Sequence, residues 1–268
     1  MADTDFELIS ELAYKYTGIV LASHKRDMVY GRLARRLREL KLTVFSDYCR
    51  LIEKDDHQEV SQFINAITTN LTSFFREQHH FDYIREHICP ELKSTHADDR
   101  KIRVWSAGCS TGEESYSIAI TLSENLDMEN WDCKLLATDL DSNVLEKGQQ
   151  GIYDLGRIES LSEAKKKKWF LHDRNHPDIV KVKPELQQLI RFKRLNLLEK
   201  WPMKGPFDII FCRNVVIYFD QETQRYLFNK YADMLREGGY LFIGHSESLH
   251  RLSDRFKSIG KTIYQKIH

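Results

Sequence analysis

Four short apolar runs set the strongest limit on how this chain can fold: IRVW (102–105), KLLAT (134–138), FDIIFC (207–212) and GYLFI (239–243). Each is too short for a buried helix and is bounded by turn or polar residues. Helical patterns separate them, over 114–127, 141–149 and 221–236. Such alternation predicts a mostly parallel sheet covered by helices on both faces, because neighbouring parallel strands need a long crossover between them. Right-handed crossovers bring the carboxyl ends of the strands to one edge, where open sheets bind ligands. Residues 151–190 break the rhythm with a lysine run (165–168), an Asn-His-Pro turn and the strand-like DIVKVK. They read as an inserted lobe with β structure.

The first 90 residues have a different period. FELISELAYKY sets Phe6, Ile9 and Leu12 near one face, and MVYGRLARRLREL sets Val29, Leu33, Leu37 and Leu40 on one face. VFSDYCRLIEK and EVSQFINAI add two more helical patterns, and no glycine or proline interrupts residues 32–89. A small helical domain followed by a connection is expected. The division drawn is 1–75 for the helical domain, 76–92 for a linker and 93–268 for the α/β domain, with the inserted lobe at about 155–190.

Composition narrows the function classes. The 268 residues carry 40 basic and 40 acidic side chains, so the whole molecule is no generic polyanion binder. The N-terminal MADTDFELISELAYKY has early acids and no apolar run, unlike a signal peptide, and no stretch approaches the roughly 20 apolar residues of a membrane span. Five scattered cysteines without a CxxC pair point to reduced thiols in a cytoplasmic protein and away from zinc.

The first strand runs directly into RVWSAGCSTGEES (103–115), a tight turn with Gly108 and Gly112 and then two glutamates. Glycine admits positive φ and close backbone approach by a ligand. The dinucleotide fingerprint would need a middle glycine, and acids at the helix start would repel a pyrophosphate. They suit a cationic or hydroxyl-rich ligand. Asp139 closes the next strand 27 residues after Gly112, where an acid typically accepts from ribose hydroxyls. Together these suggest a nucleoside without phosphates, and S-adenosylmethionine fits. A purely structural glycine turn and an Asp serving as a helix N-cap are the plain alternatives.

NAITTNLTSFFRE (65–77), RVWSAGCSTGEESYSIA (103–119), ATDLD (137–141) and FCRNVVIYF (211–219) closely resemble the chemotaxis receptor glutamate methyltransferases, the CheR family. The similarity runs over nearly the whole chain. It implies an S-adenosylmethionine-dependent, Rossmann-like methyltransferase domain with an N-terminal helical domain and an inserted small β-subdomain. It also implies methyl transfer from S-adenosylmethionine to receptor glutamates, giving methyl esters and S-adenosylhomocysteine. By the same match Asn70, Thr72 and Arg76 line the site from the interdomain segment, Glu114 holds the methionine amino group and Asp139 the ribose. Asn196 and Leu197 match positions beside the adenine. Arg213 and Asn214 match the pocket floor, and Tyr218 the methyl-transfer region. Arg76 and Tyr218 are the candidates for handling the acceptor carboxylate.

Read as residues alone, several of these have simpler roles. Glu114 could serve the helix dipole, Asn196 a turn, Tyr218 a core aromatic. Residues 25–41 hold seven basic and two acidic side chains, with Arg32, Arg35 and Arg36 on one side of a helix. Composition leaves a solvated face, a nucleic-acid stripe or a dock for an acidic helix; the resemblance favours acidic receptor helices and no nucleic acid. Some relatives grip a tethering peptide at the receptor C-terminus by strand addition. The candidate edge here, DRNHPDIVKVK (173–183), is short and lacks a glycine-rich turn. The resemblance implies a cytoplasmic enzyme recruited to receptor arrays, with no membrane insertion and no metal. His79, His80 and His245 carry no pattern that points to a ligand set.

Overall fold

The computed structural model describes residues 3–54, 57–173 and 175–268. Met1, Ala2, Asp55, Asp56 and Arg174 lie outside the described residues. Four helices come first: α1 (Asp3–Thr17), α2 (Arg26–Glu39), α3 (Phe45–Glu53) and α4 (His57–Ile67). The periodic positions turn inward as the spacing requires. Ile9 and Leu12 of α1, Val29, Leu33 and Leu37 of α2, and Tyr48 and Ile52 of α3 pack with Phe63 and Ile67 of α4 in one core. Phe6 and Leu40 sit at its edge, partly buried. Within that core Glu59 is nearly inaccessible, and it accepts from Tyr48 Oη (2.9 Å) and Arg36 Nε (2.8 Å). A buried carboxylate so paired fixes how α2, α3 and α4 sit together.

Residues 76–92, expected as a linker, are largely helical. α5 (His79–Tyr83), a π-helical turn (Ile84–Ile88) and α6 (Cys89–Thr95) run on without a break. Phe81, Ile84, Ile88 and Leu92 join the core on one face of the sheet, so apolar burial, not connection length, sets this segment's structure.

The α/β part follows as β1 (Lys101–Ala107), α7 (Glu113–Asn125), β2 (Asp132–Asp139), α8 (Ser142–Gln150), β3 (Ile152–Asp154), α9 (Glu163–Trp169), β4 (Phe170–His172), β5 (Ile179–Val182), α10 (Pro184–Gln187), β6 (Ile190–Arg194), β7 (Phe207–Cys212), α11 (Gln221–Met234), β8 (Leu235–Ile243), β9 (Phe256–Gly260) and β10 (Ile263–Lys266). Seven strands make one sheet in the order β6-β2-β1-β7-β8-β10-β9. β6, β2, β1, β7 and β8 are parallel, and β10 is antiparallel to both of its neighbours. The chain leaves β1 for β2 on one side and returns to β7 on the other. A crevice therefore opens at the tips of β1 and β7, the usual ligand position of such sheets. The four strands read from the sequence are all present. β6, β9 and β10 were not anticipated, since RFKR and YQK lack a continuous apolar run and only pairing with a neighbour defines them.

The inserted lobe is a three-stranded antiparallel sheet in the order β3-β5-β4. It begins at Ile152, slightly before the expected start. β5, inside the segment proposed as a peptide-binding edge, is the central strand and is paired on both sides. The edges belong to β3 and β4.

The helical module lies across the carboxyl edge of the large sheet. Asn65 bonds both the Oγ and the N–H of Ser142, Asn196 Nδ2 donates to the Tyr16 carbonyl (3.0 Å), and Val20 N–H donates to the Tyr218 carbonyl (2.9 Å). The five cysteines are all free and buried. Among the described residues no helix is long and apolar enough to cross a membrane.

Candidate active site

Between the two modules lies a cleft whose unfilled space, open mouth included, is about 1100 Å³. Asn70, Thr72, Arg76, Glu114, Asp139, Asn196, Leu197, Arg213, Asn214 and Tyr218, dispersed over 149 positions of sequence, all line it. Leu140, Ile67 and Val215 give it apolar walls. That mixture of apolar wall and few polar groups is typical of small-molecule sites.

The turn after β1 has the positive-φ backbone the sequence suggested. Gly108 has φ +86°, but a Cβ there would lie 2.3 Å from Val215 Cγ2. Two loops of the protein approach closely here, and Gly108 also lines the cleft. Gly112 (φ +96°) likewise packs against Gly148 and Tyr153. Ser110 is also left-handed (φ 49°), as are Phe75 and Glu77 before α5 and Asn214 after β7. Non-glycine residues in this conformation cost about 1–3 kcal/mol each and gather at functional sites, where packing holds them.

Two acids were expected to face the ligand from the start of α7; one does. Glu113, fully buried, accepts from Thr111 Oγ1 (2.6 Å) and pairs with Arg157 of the inserted lobe. Glu114 turns to the cleft, where Ser106 Oγ donates to Oε1 (2.8 Å) and Arg213 Nη1 to Oε2 (3.3 Å). Burial pushes its carboxyl above the usual range, with Arg213 and Ser106 opposing. A buried acid in that state favours a second cation at its side.

Asp139 ends β2 with Oδ2 accepting from Ser110 N–H (2.8 Å) and Oδ1 from Asp141 N–H (3.0 Å). Its carboxylate keeps free lone pairs toward the cleft. Burial raises it to about 6, against those backbone bonds. Asp141, two residues on, is the N-cap of α8 and accepts from Asn143 N–H (2.9 Å), Thr68 Oγ1 (2.9 Å) and Asn70 Nδ2 (2.7 Å). The Asn70 amide thus braces the junction instead of pointing freely into the cleft. Asn196 is also committed: Oδ1 accepts from Leu198 N–H (3.1 Å), and Nδ2 donates to Tyr16 and Glu199. Its side chain makes the turn bond, and the residue also lines the cleft.

Arg76 donates Nη1 to the Leu71 carbonyl (2.9 Å) and is half-buried, with guanidinium donors left over. Arg213, almost fully buried, also donates to the Arg76 carbonyl, so the two arginines are mechanically linked. Tyr218 lies under Lys25, whose Nζ is 4.4 Å from the ring centroid. Burial, and then Arg32, lower the Lys25 pKa.

Lys25 entered the sequence reading only as part of a basic run, and Asp141, Glu247 and Glu77 were missed. Glu247, nearly inaccessible, accepts from the N–H groups of Asn214, Val215, Val216, Ile217 and Gly244 and shapes the whole CRNVVIY loop. Its one legible signal was an acid just past the GYLFI strand.

On α2, Arg32 reaches the carbonyls of Ala66 and Thr68, and Arg36 is held by Glu59 and Glu39. Among the described residues Arg35 pairs with exposed Glu39 (3.2 Å), and it is the most outward of the three. They border a shallow groove that shares Thr68, Thr69, Asn70 and Leu71 with the cleft.

The fold and the cleft define a class: a doubly wound sheet with a cleft at its strand tips, lined by Glu114 and Asp139, is that of an S-adenosylmethionine-dependent methyltransferase. Residues 70–265 match the family described as CheR methyltransferase, SAM binding domain, and residues 4–68 that described as CheR methyltransferase, all-alpha domain. The chain is 45% identical over 267 residues to the chemotaxis protein methyltransferase of Escherichia coli (strain K12), spanning 98% of this chain and 91% of that one. Over the same length it is 46% identical to that of Salmonella typhimurium (98% and 90%). It is 43% identical over 262 residues to chemotaxis protein methyltransferase 2 of Pseudomonas aeruginosa (97% and 92%). The chain belongs to the CheR methyltransferase family.

Proposed function

We infer that this chain methylates chemoreceptors: it transfers a methyl group from S-adenosylmethionine to glutamate side-chain carboxylates, giving glutamate 5-O-methyl esters and S-adenosylhomocysteine. The observation that carries the reading is the meeting of Arg76, Glu114, Asp139, Arg213 and Tyr218 in one cleft. The residues present fit the cofactor by their chemistry. A buried acid whose pKa is raised accepts an ammonium group, Asp139 accepts from two vicinal hydroxyls, and Leu197 and Leu140 offer a flat apolar surface to a base.

The cofactor, when bound, supplies a methyl group on a positively charged sulfur. The rest falls to the protein. The acceptor glutamate, with a reference pKa of about 4.3, is ionised at neutral pH, so no residue here must remove a proton. Arg76 holds and orients that carboxylate with its remaining donors, and the Tyr218 hydroxyl bonds its other edge. Alignment of this kind is worth several kcal/mol. The apolar wall and the overlying helical module keep water from competing as acceptor.

Arg35, with Arg32 and Arg36 behind it, guides the acidic receptor helix to the groove beside Leu71. Such charges act mainly on encounter rate and partner choice. A receptor C-terminal peptide would have only the three-residue edges β3 and β4 to pair with, and titration of the isolated peptide measures that contact. We take the chain as a helical module followed by a methyltransferase domain that includes α5 and α6, working in the cytoplasm at receptor arrays.

Incubation with methyl-labelled S-adenosylmethionine and receptor cytoplasmic fragments tests the reaction. Label released as methanol by mild base identifies a methyl ester. Base-stable label, or none, rules the reading out.

A further inference from the structure

Among the described residues Glu77, His79 and His80 bring potential ligand atoms within 4.8 Å of one another. The arrangement invites a cation, and the protein supplies its own: Arg213 Nη2 lies 3.3 Å from Glu77 Oε2, an ion pair without full hydrogen-bond geometry. His80 adds no charge, because burial and then Arg213 push it down to about 3. Burial acts to raise Glu77, but Arg213 and His245 outweigh it and hold the carboxyl below its usual range. His245 Nδ1 lies 3.0 Å from the other oxygen, Oε1.

Arg213 is thus shared. One end of its guanidinium faces Glu114, the other faces Glu77, and the rings of Phe81 and Phe211 lie 5.9 Å from its carbon. Two acids divide one buried cation, so the cluster holds one carboxyl group in excess of its positive charge. If Glu114 had Arg213 to itself, the pair would be neutral and a ligand cation would find little there. Glu77 takes up this position through a left-handed backbone (φ 59°), which an L side chain seldom adopts.

We propose that Glu77 is a positioning residue for the amino-acid end of the cofactor: by drawing on the Arg213 guanidinium it leaves the Glu77–Arg213–Glu114 cluster with one acid more than its single cation, a surplus that the ligand's ammonium group answers. The proposal rests on reading the cleft as the S-adenosylmethionine site. It deepens that reading, since Glu77 itself touches neither ligand nor reacting atoms.

Paired calorimetric titrations test it, using S-adenosylhomocysteine and 5′-methylthioadenosine, which keeps the nucleoside and thioether but lacks the amino-acid tail. In Glu77→Gln, affinity for S-adenosylhomocysteine falls about tenfold or more, as loss of one charge-assisted contact implies, while that for methylthioadenosine stays within about twofold. Glu77→Ser, a smaller side chain that admits water beside Arg213, gives the same selective loss. Unchanged affinity for S-adenosylhomocysteine, equal weakening of both ligands, or failure of both variants to fold overturns the proposal in favour of a purely structural carboxylate. If the unsubstituted protein binds neither ligand, the cofactor assignment itself fails, a different result from a wild-type site without a selective loss in the variants.

Discussion

Asn70 Nδ2 lies 2.7 Å from Asp141 Oδ2, joining the segment after α4 to the loop beyond β2. The same oxygen takes Thr68 Oγ1 at 2.9 Å, and the second oxygen caps α8. One buried carboxylate therefore secures both the junction of the modules and the wall that carries Asp139. Asp141→Ala removes the cap and leaves two donors without their acceptor. Unfolding free energy from urea titration is expected to fall by about 2–4 kcal/mol. A midpoint shift below the resolution of the titration would contradict this account.

Glu247 holds four backbone N–H groups of the loop that presents Arg213, Asn214 and Tyr218, and that of Gly244 after β8. Replacing it with alanine strands those donors and is expected to cost about 3 kcal/mol or more. Glu247→Gln keeps the shape and one acceptor, so it should lie between the two. Thermal melts of the three proteins give the order; equal melting points would show the loop is held by other contacts.

Arg76→Ala should separate binding from chemistry. Cofactor affinity is expected within a few fold of the unsubstituted enzyme, while kcat falls by about 100-fold, the usual penalty for a misaligned acceptor. Receptor methylation at an undiminished rate would remove Arg76 from the reaction.

Cofactor affinity should depend on pH through Asp139, which burial raises to about 6. Below that pH the free protein carries the proton, and ribose binding to the carboxylate must expel it. Affinity is therefore expected to be level above pH 7 and to fall about tenfold per unit below 6. Glu114, raised in the same direction by burial, steepens the fall. Asp139→Asn should flatten the profile measured with S-adenosylhomocysteine, and a slope unaltered by that substitution would assign the titration elsewhere.

Charge reversal at Arg35 is the clean probe of receptor docking, because Arg32 and Arg36 are tied into the helical module and their loss would confound folding with recognition. Arg35→Glu should lower the rate of receptor methylation at low salt several-fold, with S-adenosylhomocysteine affinity unchanged. A rate equal to that of the unsubstituted enzyme at every ionic strength would exclude this face.

Local pattern carried the reading furthest where one element decides its own form. The four apolar strands, the amphipathic faces of α1 and α2, and the glycine turn at 108–112 were legible because their signals repeat within a few residues. β6, β9 and β10 were not, since their polar outer residues give no alternation and their identity depends on a partner strand. Residues 76–92 read as a connection because nothing local announces which face the sheet will bury.

The sequence by itself determined the strand–helix order, and through its motifs the family and the residues that gather at the cleft. Tertiary structure decided what each does there. Glu113 and Glu114 are adjacent, yet consecutive helical residues point about 100° apart, so one reaches the inserted lobe and the other Arg213. Likewise Asn70 and Asn196 make bracing bonds besides lining the cleft, Asp141 and Glu247 hold its loops, and Glu77 pairs with Arg213. Their distant partners lie 30 to 180 positions away in the chain. No short-range pattern encodes a bond that exists only after the chain has closed on itself.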